Sequence, residues 1–93
     1  FQAAGLSTFA ASKIGAPLVE GCLGWLECKV VPEPHNQQAY DLFIGEVVAA
    51  WAAPDVFSGN RWHFNDDSRR SVHYLAGGSF FATGEAFTVT DPE

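Results

Sequence analysis

Two long apolar stretches joined by a proline-containing segment dominate the pattern of hydrophobic and polar positions in this chain. Residues 23–31 (LGWLECKVV) alternate with the period of two that is typical of a half-buried strand. The alternation places Leu26, Cys28 and Val30 on one face, predicted to be core, and Trp25, Glu27 and Lys29 on the other. The first stretch therefore predicts a strand with one buried face.

The second stretch, residues 41–51 (DLFIGEVVAAW), is apolar nearly throughout. Because neither face is consistently polar, both faces need a cover, which predicts the wall of a barrel or a dimer interface. The intervening segment PEPHNQQ (32–38) contains two prolines and a run of amides, a composition that predicts the turn of a wide hairpin. We therefore expect the two strands to be antiparallel.

The segments before the first strand are richer in small residues. FQAAGL (1–6) has the pattern of a helix tail that ends at Gly5. We therefore expect the chain to start inside an element, with an N-terminal segment of the same protein preceding it. Residues 6–22 carry Ser, Thr, Gly and Pro at short intervals and predict an ordered loop.

The segments after the second strand alternate between turns and one further strand region. Pro54 predicts a turn or a short helix, and SGN (58–60) predicts another turn. DDSRR (66–70) is a mixed-charge segment, which indicates a solvated surface loop and not an anion site. Aromatic residues and threonine in residues 71–89 favour strand.

Length, composition and charge limit the class of protein. A chain of 93 residues predicts a single domain covering residues 1–93. With 47% hydrophobic and 17% charged residues, we expect some apolar surface to meet a partner. The net charge of -6 and the five scattered Lys and Arg residues argue against a nucleic-acid partner. Neither a membrane span nor a signal peptide is recognisable, so a cytoplasmic location is predicted.

Residue types that bind metals or catalyse hydrolysis do not occur at the required spacings. Cys22 and Cys28 are expected to lie about 20 Å apart along one extended segment, too far to pair, and the three histidines form no cluster with them, so no metal site is predicted. No GxSxG or CxxC is present, so no catalytic residue is assigned. Glu27 and Glu46 are interpreted as strand glutamates that face solvent or pair with Lys29.

The segment HYLAGGSFFATGE (73–85) is the strongest candidate for a ligand contact. Gly77 and Gly78 allow the backbone to approach a planar ring closely, and Tyr74 and Phe80 offer aromatic surface on which a ring stacks. His73 is suited to act as an acid, a base or a hydrogen-bond donor near neutral pH. The alternative is a barrel strand whose aromatic residues only pack.

Four segments, GAPLVEGC, WLECKVV, LFIGEVVAAW and HYLAGGSFFATGE, occur in an order and at a spacing that resemble the C-terminal half of the flavin reductase-like family, the FMN-binding split barrels that include the flavoredoxins. The resemblance spans nearly the whole chain. It implies a mainly β fold, a six-stranded antiparallel split β-barrel that is incomplete in this chain and carries short helical segments. It also implies a homodimer that binds FMN at the subunit interface.

The resemblance implies two of the cofactor contacts directly. Phe80 matches the ring-facing aromatic of the glycine segment, and Tyr40 occupies a position beside the flavin that often holds a histidine in relatives. With the candidates from the glycine segment, the predicted cofactor-binding residues are Tyr40, His73, Tyr74, Gly77, Gly78 and Phe80. The groups that bind the FMN phosphate are expected upstream of Phe1, so the chain alone is predicted to bind FMN weakly or not at all and to be inactive.

The activity that the resemblance implies is hydride transfer from NAD(P)H to the flavin in the intact protein. The protein then supplies orientation and a dry pocket instead of a nucleophile, which agrees with the lack of a catalytic motif. Two alternatives stay open. One is a non-catalytic split-barrel module for dimerisation or small-ligand binding, and the other is a reductase that supplies reduced flavin to a separate monooxygenase.

Overall fold

The computed structural model describes residues 2–91 and consists of two compact units, residues 1–52 and residues 53–93. Within residues 2–91, eight strands form four two-stranded antiparallel sheets, accompanied by one α-helix and two 3-10 helices. No sheet in this range closes into a barrel. The prediction of a mainly β, antiparallel and incomplete fold with short helical segments is confirmed, whereas the single domain stays a prediction.

Residues 1–52 contain the two longest strands. Their elements are a 3-10 helix (Gln2–Ala4), β1 (Thr8–Phe9), β2 (Leu18–Val19), β3 (Gly24–Val31), α1 (Pro34–Tyr40) and β4 (Ile44–Ala52). β3 and β4 pair antiparallel as predicted, with Trp25 opposite Trp51. The register shifts between Glu27 and Cys28, which marks a β-bulge in this ladder.

The prediction that Leu26, Cys28 and Val30 form the buried face of β3 is wrong for this unit. Leu26 is 63% exposed and Val30 62% exposed, whereas Glu27 is fully buried. The cause lies in the preceding segment, where β1 and β2 pack on the opposite face: Phe9 meets Trp25 edge to face at 5.6 Å, and the Trp25 indole donates to the Val19 carbonyl at 2.7 Å. Packing within residues 1–52 therefore covers the face that carries Trp25 and Glu27.

The segment between the two long strands contains a helix where the sequence predicted only a turn. α1 starts at Pro34, whose fixed φ and missing N–H suit the first helical position. It ends at Tyr40 and is capped by Asp41, which adopts a left-handed conformation with φ of 50°. The segment still connects two antiparallel strands, so the predicted wide hairpin is confirmed and its conformation is corrected.

The predicted loop at residues 6–22 contains a small hairpin of its own. Phe9 of β1 pairs with Leu18 of β2, and Leu18 is buried. Gly5 has φ of +72° at the end of the first 3-10 helix, which agrees with the predicted helix-ending glycine. Of that predicted helix tail, Phe1 lies outside the described residues.

Residues 53–93 contain two further hairpins. Their elements are β5 (Phe57–Ser58), β6 (Arg61–Trp62), a 3-10 helix (Asp67–Arg69), β7 (Val72–Ala76) and β8 (Ser79–Ala82). Val56 and Ala53 are buried, and the Val56 N–H donates to the Ala53 carbonyl across a turn that contains Pro54. Gly59 and Asn60, both at positive φ, form the two-residue turn predicted at residues 58–60.

The mixed-charge segment is more ordered than a solvated loop. The Arg69 guanidinium pairs with Asp55 at 2.8 Å. The Arg70 side chain is only 13% exposed, and it bonds Asp67 and Glu85 as well as two backbone carbonyls. The expectation of a solvated surface is therefore wrong for Arg70, because the carbonyls of Thr83 and Gly84 and the carboxylate of Glu85 contact its guanidinium.

Candidate functional site

The hairpin formed by β7 and β8 positions five of the six predicted cofactor contacts. Tyr74 and Phe80 are cross-strand partners, so both project from the same face of the ladder. Their rings lie 5.2 Å apart with a tilt of 59° between the planes. Tyr74 is 59% exposed and Phe80 56% exposed. The hairpin therefore presents a two-ring aromatic surface, here called the Tyr74–Phe80 face.

His73 lies on the opposite face of the same hairpin. It pairs in register with Phe81, and neighbouring residues of a strand point to opposite sides. Phe81 is exposed, as is His73. The structure thus brings Tyr74 and Phe80 together and separates His73 from them.

Gly77 and Gly78 form the tight turn of this hairpin. Their φ values are 58° and 81°, in the left-handed region that costs residues with a Cβ. A Cβ built at either glycine meets no atom within 4 Å. Turn geometry alone therefore accounts for both glycines, and the same open space leaves the backbone free for a ligand to approach.

Tyr40 belongs to the other unit. It is the last residue of α1, is exposed, and contacts the His35 ring edge to face at 5.7 Å. No metal-binding group of three or more His, Cys, Asp or Glu residues occurs within residues 2–91. Cys22 and Cys28 are free thiols.

Glu27, in residues 1–52, is a buried carboxylate that the sequence did not predict. The Lys13 N–H donates to Glu27 Oε1 at 2.7 Å, and Glu27 Oε2 accepts from the Ser12 N–H at 3.1 Å and the Ser12 Oγ at 3.0 Å. The Trp51 Nε1–H donates to the same oxygen at 2.6 Å. Glu27 therefore neither faces solvent nor pairs with Lys29, in contrast to the prediction.

Hydrogen bonding determines the ionisation of Glu27. Burial by itself raises the pKa of this carboxyl, but the bonds from the Lys13 N–H, the Trp51 indole and Ser12 outweigh burial and lower the pKa from 4.5 to about 2. Glu27 is therefore an anion at neutral pH. Glu46, by contrast, is exposed on β4 opposite Lys29 in the ladder, as the sequence predicted.

A cavity of about 280 Å³ adjoins this carboxylate. Its wall is mostly apolar and consists of Phe9, Ala10, Ser12, Leu18, Glu27 and Trp51. Sequence reasoning had one signal for this region, since Glu27 shares its strand face with Trp25 in an otherwise apolar stretch. The donors of Lys13 and Ser12 lie 14 and 15 residues earlier in the chain and Trp51 lies 24 residues later, so none was recognisable from local pattern.

Residues 53–93 contain a hydrogen-bonded Ser–His pair and a further cavity. Ser58 Oγ and His63 Nε2 are 2.8 Å apart, and His63 Nδ1 is buried without a hydrogen-bond partner among the described residues. Without a carboxylate at Nδ1, this pair lacks the third member of a Ser/His/Asp arrangement. A cavity of about 240 Å³ is lined by Trp62, Phe64 and Ser71.

Comparison with protein families gives a match over most of the chain. The family model described as Flavin reductase like domain matches residues 1–74. The match ends at Tyr74, so the turn glycines and Phe80 lie beyond it. Within residues 2–91, no helix is long and apolar enough to cross a membrane.

Two individual proteins are similar over almost the full chain. The uncharacterized protein YddH of Escherichia coli (strain K12) is 39% identical over 89 residues, which are 95% of this chain and 47% of that protein. The crystal structure of an FMN-binding domain of a flavin reductases-like enzyme from Shewanella baltica OS155 is 46% identical, with a TM-score of 0.89, over 96% of this chain and 48% of that one. The chain thus spans about half the length of each.

Proposed function

The chain belongs to the flavin reductase like domain family, and we propose that it forms part of an FMN-binding domain in the intact protein. The observation that carries the proposal is the likeness to the FMN-binding domain from Shewanella baltica, at 46% identity and a TM-score of 0.89. A likeness of this degree over 96% of the chain supports a shared ligand class as well as a shared fold.

The Tyr74–Phe80 face fits a planar ring system. Two half-exposed aromatic rings lie on one side of the hairpin with their planes tilted by 59°, so one of them can stack on a planar ring while the other contacts its edge, and the turn glycines leave open space beside them. We therefore assign the ring contact to Tyr74 and Phe80. Tyr40 and His73 stay candidate contacts, and their roles rest on the sequence.

FMN, when bound, would supply the redox chemistry, with NAD(P)H as the proposed hydride donor. The residues of this chain orient the ring and exclude water from one of its faces. We propose that the intact protein is an oxidoreductase of this kind. We also propose that the intact protein is a homodimer. The exposed apolar side chains of β3, β4, β7 and β8 support this proposal, and sedimentation equilibrium of the intact protein tests it.

Flavin titration of hairpin variants tests the proposed stacking contact. We expect Tyr74→Ala to weaken FMN binding to the intact protein by roughly two- to tenfold, because one aromatic contact is lost. Phe81→Ala is the matched control, since Phe81 is equally exposed but lies on the opposite face. Weaker binding of Phe81→Ala with unchanged binding of Tyr74→Ala would place the ring on the His73 side and overturn the assignment.

An NAD(P)H oxidation assay with added FMN tests the activity separately. We expect a rate that depends on flavin in the intact protein. FMN binding without such a rate would indicate the non-catalytic ligand-binding or dimerisation module, and would contradict the proposed reductase activity while leaving the flavin site in place.

A further inference from the structure

The Glu27 carboxylate is held by dipoles and not by a cation. Within the described residues no Lys or Arg forms an ion pair with it, although its side chain is completely buried. An ionised carboxylate removed from water is stable only if hydrogen bonds replace its hydration. Here two successive backbone N–H groups, one hydroxyl and one indole N–H provide that replacement.

The donors come from two elements that are distant in sequence. Ser12 and Lys13 belong to the connection between β1 and β2, residues 10–17, and Trp51 belongs to β4. Successive backbone N–H groups that point at one anion form a concave anion-binding arrangement, as in phosphate-binding loops. In this chain a side chain of β3 occupies that arrangement.

We propose that Ser12, Lys13 and Trp51 form a binding site for a carboxylate, and that Glu27 occupies this site in the folded chain. Occupancy of the site fixes the 10–17 connection against β3 and β4. The proposal does not depend on flavin binding, because none of these residues lies in the β7–β8 hairpin. The connection also carries Ala10 and Ser12 of the cavity wall, so the same contact fixes the shape of that cavity.

The chemistry of the site defines its ligand class. Four donors and a mostly apolar surrounding wall favour a small monovalent carboxylate. Truncation of Glu27 to Ala removes a CH₂–COO⁻ group, which has the size of acetate. Free acetate therefore matches the volume and the hydrogen bonds that the variant loses.

The test is chemical rescue of Glu27→Ala in the intact protein. We expect the variant to have a lower thermal midpoint, and amide hydrogen exchange at Ser12 and Lys13 to be faster by about tenfold or more, because hydrogen bonds to a charged acceptor are lost. Added acetate restores both quantities with a saturable dependence, whereas chloride at equal ionic strength does not. Glu46→Ala, on the exposed side of the adjacent strand, is the control and gains nothing from acetate.

Glu27→Gln keeps the test decisive if the Ala variant does not fold. The carboxamide preserves the volume of the side chain. In the wild type both carboxylate oxygens accept hydrogen bonds, so in Glu27→Gln the NH₂ group replaces one acceptor and faces a donor. We therefore expect faster exchange at Ser12 or Lys13, with smaller changes in the β3–β4 ladder. Wild-type exchange at both amides in Glu27→Gln would overturn the proposal, as would acetate having no more effect than chloride on Glu27→Ala.

Discussion

At the scale of single residues, Glu27 is the side chain that connects the most separate parts of residues 1–52. A fully buried anion with four donors links the ladder of β3 and β4 to a connection that precedes it in the chain. Because its pKa is lowered to about 2, the side chain is charged at neutral pH and stays charged in mild acid. Its contribution to stability therefore depends on pH only in acid.

The first prediction concerns that acid range. A carboxyl whose pKa is 4.5 when unfolded and about 2 when folded contributes stability that is complete above about 4.5 and is lost as the pH falls towards 2. We expect the denaturant midpoint of Glu27→Gln to fall less steeply than that of the wild type over this range.

Glu46→Gln serves as the control for this measurement, because it removes an exposed carboxyl of the neighbouring strand. The lowered pKa values of Asp55, which bonds Arg69, and Asp66, which bonds Ser68, add to the slope in every variant, so only the difference between variants reports on Glu27. Equal slopes for the wild type and Glu27→Gln would contradict the assigned role.

The sequence predicted the strand face of Glu27 correctly, but it did not predict that Glu27 is buried. Period-two alternation placed it on the same face as Trp25, and this is what the structure shows. Its burial could not be predicted from that pattern, because the donors lie 14, 15 and 24 residues away in the chain. Two of the four are backbone N–H groups, of Ser12 and Lys13, which have no signature in amino-acid type.

At the scale of elements, the strand predicted from the aromatic residues of residues 71–89 is confirmed by β7 and β8 as far as Ala82, whereas residues 83–89 form no strand. The tight turn at Gly77 and Gly78 was not predicted, because the sequence analysis interpreted these glycines as a place where a ligand approaches the backbone. The α1 helix was missed because prolines and amides are common in turns, although Pro34 at the first helical position is equally typical of a helix start.

The second prediction tests the turn. Gly78→Ala forces a Cβ into a backbone with φ of 81°, and we expect a loss of about 1 kcal/mol in the free energy of unfolding. Gly84→Ala is the control, since Gly84 has no positive φ and equally open surroundings. Equal effects of the two substitutions, measured by denaturant unfolding, would show that the left-handed turn is not what requires glycine at residue 78.

The third prediction concerns the segment after β8. Arg70 donates to the carbonyls of Thr83 and Gly84 and bonds Glu85, so its guanidinium holds these residues in place. Lysine keeps the charge but lacks the forked set of donors. We expect Arg70→Lys to increase proteolytic cleavage around residues 83–85 under native conditions.

The control for this experiment is Arg61→Lys, at an exposed position of β6. Its cleavage pattern is expected to match that of the wild type. If Arg70→Lys is cleaved at the wild-type rate, the contacts of Arg70 do not restrain the segment.

At the scale of the whole molecule, the order and spacing of four segments were sufficient to predict the family and the fold class. Those segments contain the long strands and the glycine hairpin, whose apolar patterns are set by the fold itself. The inner face of β3 was not predictable, because burial depends on which other segments pack against it. The homodimer and the cytoplasmic location stay predictions.

The central claim is that the intact protein binds FMN through a domain to which this chain contributes the Tyr74–Phe80 face. Fluorescence titration of FMN with the intact protein tests it most directly. We expect saturable quenching of flavin fluorescence by the intact protein and weak or no quenching by residues 1–93 alone. Unchanged flavin fluorescence with the intact protein, together with no flavin absorbance in the purified material, would contradict the claim.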